Sequence, residues 1–278
     1  MRIIPANWLD ECADLAVTPA AVTAFPITNL QLTKRDRLWR SPNLDPQTIT
    51  GTFAGGPRPV NAWAIFPGDG NLVGAKVRVV LSAAGATVYD SGTLDAFTFS
   101  GTGWGSFPWG GHPWGVETAD RSFRRAPLAR YITEVYPDSF SVTITNGGAM
   151  DEPAFEADRL TFGQSVLAPY TARTGLAPVT MDPSEHQRSP GAVLRVREVA
   201  GFREVTFDTV FESEADRFAW SEIMGYIGVR REIVLSLLPD DATTKGRDLT
   251  YRGYLKAVNP LAFTDSNFHT LQLSLTES

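Results

Sequence analysis

Three of the seven tryptophans of this 278-residue chain fall within one short stretch, Gly101-Thr102-Gly103-Trp104-Gly105-Ser106-Phe107-Pro108-Trp109-Gly110-Gly111-His112-Pro113-Trp114-Gly115. The indoles recur every fifth position, which matches neither the helical nor the strand period, so no single regular element can turn all three into one core. Indoles make contacts rather than bonds: each offers a wide, rigid apolar face with one N–H at little entropic cost. Such a set suits stacking on a sugar ring or a hot spot against a protein. Trp104, Trp109, His112 and Trp114 are therefore the candidate partner- or glycan-contact residues. The remaining alternative is that the segment folds back and caps the end of its own domain.

Residue types that make and break bonds are poorly placed elsewhere. Gly163-Gln164-Ser165 lacks the second glycine of a nucleophile elbow, and Gly51-Thr52-Phe53-Ala54-Gly55-Gly56-Pro57 lacks the Lys-Ser/Thr that completes a phosphate loop. His112, His186 and His269 stand at no metal-ligand spacing. Cys12, the one cysteine, can form no intramolecular disulfide and reads as a packed small residue beside Glu11. Asp151-Glu152 and Asp240-Asp241 sit in turn-like contexts suited to solvated charges rather than glycosidase acids. Asp69 and Asn71 supply two oxygens where calcium takes about six to eight. The expectation is a non-enzyme with no metal and no cofactor.

The partners are bounded by charge and hydropathy. Twenty-five Lys and Arg against 31 Asp and Glu leave a net charge of −6, the wrong sign for neutralising phosphates. The local groups Lys34, Arg35, Arg37, Arg40 and Arg121, Arg124, Arg125, Arg130 are diluted by acidic neighbours and read as solvated faces or intersubunit ion pairs. No stretch approaches the roughly 18 apolar residues of a membrane span, and acidic Asp10 and Glu11 interrupt any secretory signal. A protein made and kept in solution is expected.

The elements that must position the tryptophans are β-strands. With 24 Gly and 19 Pro, the composition favours many short elements joined by turns. Ala75, Val77, Val79 and Leu81 alternate with Lys76, Arg78, Val80 and Ser82, and the run to Tyr89 predicts a hairpin. Similar runs at Thr48–Phe53, Asn61–Phe66, Arg130–Tyr136, Phe140–Thr145 and Phe155–Phe162 predict a β-sandwich or jelly roll over residues 1–170. Four X-Pro pairs between residues 168 and 190 predict a linker or extended arm at 171–192. Residues 193–278 read β-β-α-β-β-β, an antiparallel sheet with one packed helix. That helix starts at a Ser213/Asp216 capping pair, ends at Gly228, and is expected to bury Ala215, Phe218, Ala219, Ile223, Tyr226 and Ile227.

The order of short motifs resembles a known family. Asn29-Leu30, Leu38-Trp39-Arg40-Ser41, the strands at Thr48–Phe53 and Asn61–Phe66, Gly70-Asn71-Leu72 with Ala75–Val79, Tyr89-Asp90-Ser91-Gly92 and the closing Ala157–Gly163 resemble the galactose-binding-like (discoidin-type) jelly roll of long-tailed bacteriophage tail proteins. Arg203–Phe211, Ser213–Gly228, Ile233–Pro239 and Tyr251-Arg252-Gly253-Tyr254 are similar to a tail-tip module that forms oligomers. The resemblance implies a virion structural protein of the distal-tail or baseplate type, synthesised in the host cytoplasm and assembled as a homo-oligomeric ring. It would join the tail tube to hub or fibres. A second reading, also implied, is a carbohydrate-binding receptor module for a host surface glycan.

Overall fold

In a computed structural model the chain is described at residues 1–34, 37–68, 70–96, 127–148, 150, 152–167, 177–181, 184–188, 194–197, 202–211, 214–239, 249–257, 262–265 and 268–278. The first twelve strands are β1 (Arg2–Ile4), β2 (Ala16–Thr18), β3 (Trp39–Arg40), β4 (Gln47–Thr52), β5 (Val60–Phe66), β6 (Ala75–Ala83), β7 (Ala86–Asp90), β8 (Leu94–Asp95), β9 (Leu128–Val135), β10 (Ser139–Asn146), β11 (Glu156–Ala157) and β12 (Arg159–Gly163). Then come β13 (Val166–Leu167), β14 (Ala177–Met181), β15 (Glu185–Arg188), β16 (Leu194–Arg197), β17 (Phe202–Phe211), the helix α1 (Glu214–Ile227), β18 (Ile233–Ser236), β19 (Thr250–Leu255), β20 (Ala262–Asp265) and β21 (Phe268–Glu277). The chain is mainly β, with every described pairing antiparallel. It divides into two compact units. A sandwich unit holds Asn7–Ser165 with Pro239–Thr250, and a sheet unit holds Met1–Ala6, Val166–Leu238 and Tyr251–Ser278.

In the sandwich unit one sheet runs β2-β4-β10-β6-β7, with β8 on β6, and the other runs β12-β5-β9. Alternation builds the first sheet: β4, β6 and β10 each send every second residue inward, so Ile49, Val77, Val79, Leu81, Phe140, Val142 and Ile144 are buried. They meet Trp63, Ile65, Leu160 and Phe162 of the second sheet in one core. Strands β5 and β12 are buried almost throughout instead of alternately. The cause is cover on β12's other face, where 3-10 turns at Trp8–Glu11 and Ile27–Gln31 pack. Arg159 fastens that cover, with Nη1 2.7 Å from Asp10 Oδ1 and donating to Leu30 O at 3.3 Å.

The sheet unit departs from the expected boundaries. Its long sheet runs β13-β1-β18-β19-β21-β17-β14, with β20 on β21. The N-terminal β1 therefore lies between β13 and β18, with Ile3 opposite both Val166 and Leu235. A domain of 1–170 does not describe this, because Ile3 and Ile4 are buried against the strands of the C-terminal region. Three residues carry too little period for the sequence to show where they pair. The stretch expected as a linker at 171–192 is, where described, also β-structure: β14 pairs with β17 and β15 with β16. Among the described residues β14 ends the sheet, a position where Pro178 is tolerated because its missing N–H breaks no ladder to a further strand.

Helix α1 differs from its expected orientation as well. Gly228 closes it as anticipated, at φ +55° with its N–H donating to Met224 O at 2.8 Å. The buried face, however, is Trp220, Met224 and Ile227 with half-buried Ile223, while Ala215, Phe218, Ala219 and Tyr226 are exposed. Two overlapping arcs of this helix are apolar, and Trp220 decides which one turns inward by having the most area to bury. The capping residue Ser213 lies outside the described residues.

Candidate functional site

Trp104, Trp109, His112 and Trp114 all lie outside the described residues. The strands flanking their segment in the chain are β8 and β9, and these belong to different sheets of the sandwich. Ala96, just after β8, is buried and donates its N–H to Ala75 O at 2.9 Å. Leu128, opening β9, stands opposite Ile65 of β5.

The polar groups of the sandwich unit are mostly engaged in holding it together. The Cys12 thiol donates to Asp14 Oδ1 at 3.1 Å, and burial pushes its pKa up to about 11, so it stays protonated at neutral pH and is a poor nucleophile. The Thr52 hydroxyl and amide donate to the two Asp14 oxygens at 2.6 and 2.9 Å and hold that carboxylate down at about 2. Burial pushes Asp10 upward against the pull of Arg159. Asn71 Oδ1 accepts the Val73 N–H at 2.9 Å, which is turn-capping geometry, and Asp69 lies outside the described residues. Among the described residues no three His, Cys, Asp or Glu side chains converge as metal ligands would, and no helix is long and apolar enough to cross a membrane.

One solvent-facing group on the sandwich combines an aromatic face with polar neighbours. Tyr136, 57% exposed, donates its hydroxyl to Glu134 Oε1 at 2.7 Å, and Gln164 Nε2 donates to Glu134 Oε2 at 2.7 Å. These two bonds hold the Glu134 carboxylate below its ordinary range, and the bond to Glu134 pushes the Tyr136 phenol up. Sequence reasoning missed it. Glu134 on β9 and Tyr136 just past its end are two apart in the chain, a visible signal, but Gln164 arrives from a distant part of the chain.

The sheet unit presents apolar surface instead. Among the described residues its long sheet ends at β13 and at β14, and both end strands carry exposed large side chains: Leu167 on β13, and Val179 and Met181 on β14, with Val179 50% exposed. An edge strand offers unpaired N–H and C=O groups to any further strand, and soluble monomers usually guard it with charge. Here apolar side chains stand in that place. The period-two pair Val179 and Met181 was legible, but the flanking prolines hid it within an apparent linker. On α1 the exposed Phe218 and Tyr226 add a second apolar surface, with Arg231 lying over the Tyr226 ring at 4.0 Å and donating from Nη1 to its hydroxyl at 2.7 Å.

No family model matches the chain, and no curated protein matches it. Solved structures do resemble it. A family 32 carbohydrate-binding module of NanJ from C. perfringens, in complex with galactose, is 13% identical with a TM-score of 0.39, covering 59% of this chain and 100% of that one. The chitosan-binding module 1 of a chitosanase/glucanase from Paenibacillus sp. IK-5 is 14% identical with a TM-score of 0.38, covering 57% of this chain and 99% of that one. A pectin-binding carbohydrate-binding module is 7% identical with a TM-score of 0.36, over 55% and 91%. Likeness at these identities and TM-scores carries nothing about ligand, activity or partner.

Proposed function

We propose that the chain is a non-catalytic structural protein of a bacteriophage tail tip, of the distal-tail or baseplate type. It self-assembles through the sheet unit into a ring, and the sandwich unit serves as an adaptor toward tail tube, hub or fibres. The observation that supports self-assembly is the long sheet with apolar side chains at both ends, Leu167 on β13 and Val179 and Met181 on β14. Joining the β14 end of one copy to the β13 end of the next pairs both edges, and a heterologous contact of that kind forms a ring when the rotation between copies is a whole fraction of a turn. The tail-tip setting rests on the motif order from Asn29-Leu30 to Tyr254. Imaging the assembled particle with a label on this chain tests it: density in a ring at the distal tail is expected, and absence from particles overturns the reading.

A second reading, glycan recognition by the sandwich unit, is favoured by the Tyr136–Glu134–Gln164 group, an open ring beside an ionised carboxylate and an amide. Galactose, chitosan and pectin are ligands named for the similar modules and are the glycans with which to begin. Titration of each is repeated with Tyr136→Ala and with Trp104, Trp109 and Trp114 changed to Ala. Binding lost in either variant supports recognition at that place, and binding to none of a broad glycan panel removes this reading.

A further inference from the structure

The exposed side of α1 is a continuous stripe. Ala215, Phe218, Ala219 and Tyr226 stand at i, i+3, i+4 and i+11, the spacing that stacks side chains along one helix face, with Glu222 at i+7 between them. Val229, exposed just past the helix, extends it. The two ends differ in charge. Glu214 and Asp216 occupy the first turn, and exposed Arg230 and Arg231 follow the last.

We infer that this stripe is the contact face for α1 of a second copy of the chain, the two helices running antiparallel about a twofold axis. Charge sets the direction: antiparallel helices place the acidic end of each against the basic end of the other, whereas parallel ones oppose like charges. Side-chain size fits the same direction. With the axis at the helix midpoint, between Trp220 and Ser221, Tyr226 falls opposite Ala215 of the second copy and Glu222 opposite Ala219. Tyr226 and Glu222 thus each meet an alanine methyl group, Phe218 falls opposite Ile223 beside them, and Arg231 already holds the Tyr226 ring in one position. The contact is isologous and stops at two copies, so it does not depend on pairing of the sheet edges.

Sedimentation velocity of the full chain carrying Val179→Lys and Met181→Lys reads the helix contact with the sheet edge blocked. A monomer–dimer equilibrium is expected. Phe218→Glu raises its dissociation constant by about thirtyfold or more, the scale of an interface hot spot. Glu214→Arg and Arg230→Glu, both at exposed positions and both with circular dichroism matching the parent, each weaken the dimer, and together they restore it to within about twofold. A monomer at every concentration overturns the inference. So does a dimer indifferent to Phe218→Glu with unchanged circular dichroism, or a double charge swap no tighter than the single ones.

Discussion

Trp39, Trp63, Phe155 and Phe162 of the sandwich unit are fully buried in a core closed by two sheets and the 3-10 turns over β12, whereas the sheet unit leaves Leu167, Val179, Met181, Phe218, Tyr226 and Val229 exposed. Among the described residues the sandwich unit exposes only Leu32, Val88 and Tyr136 as large apolar side chains. Both units are built from short antiparallel strands of similar composition, so the difference lies in how the sheets end. A sandwich buries each sheet's apolar face against the other. An open sheet buries its face beneath a helix and still has two edges to satisfy. Among the described residues the exposed large apolar side chains are therefore concentrated on the second unit.

Substitution in the closed core produces the largest effect. Trp63→Ala removes a side chain with no exposure and is expected to cost about 3–5 kcal/mol in denaturant unfolding followed by near-ultraviolet circular dichroism. A loss below about 1 kcal/mol would show that the core is not closed as described. Within the sheet unit, Gly253→Ala places a Cβ 2.0 Å from Thr276 O on the neighbouring strand backbone. That pushes β19 off β21, costs about 1–3 kcal/mol, and reduces self-association with it.

The Cys12 thiol gives a smaller, pH-dependent effect confined to the sandwich unit. Its folded pKa of about 11 lies above the ordinary 9.0, so the stabilisation it contributes is whole below pH 9 and lost as pH rises toward 11. An aromatic disulfide reagent at pH 8 is expected to label it only in denaturant, and prompt labelling of folded protein would contradict its burial. The smallest change in stability comes from the edges. Val179→Lys with Met181→Lys should shift unfolding by no more than about 0.5 kcal/mol while weakening self-association, whereas Val88→Lys on the sandwich should alter neither.

Much of the sandwich was legible because its strands obey one rule: β6 and β10 each bury every second residue, and the expected hairpin forms as β6 and β7. The Gly228 stop of α1 was equally readable, since αL backbone there favours glycine. What stayed hidden depends on long-range pairing. Nothing local assigns Arg2–Ile4 to the side of β18, more than two hundred residues away in the chain, and prolines made an edge strand look like a linker. The orientation of α1 was hidden for another reason: Phe218 and Tyr226 are apolar whether or not they are covered, and only the packed position of Trp220 shows which face is inward. Of the candidate contact residues, Trp104, Trp109, His112 and Trp114 lie outside the described residues, whereas the Tyr136 group needed Gln164, contributed from beyond β12.

The most direct test of assembly through the sheet unit is light scattering of the full chain across a wide concentration range, beside the Val179→Lys, Met181→Lys variant. Species larger than a dimer are expected from the native sequence and none from the variant. A single monomeric mass at all concentrations, or oligomers equally large in the variant, would contradict the account.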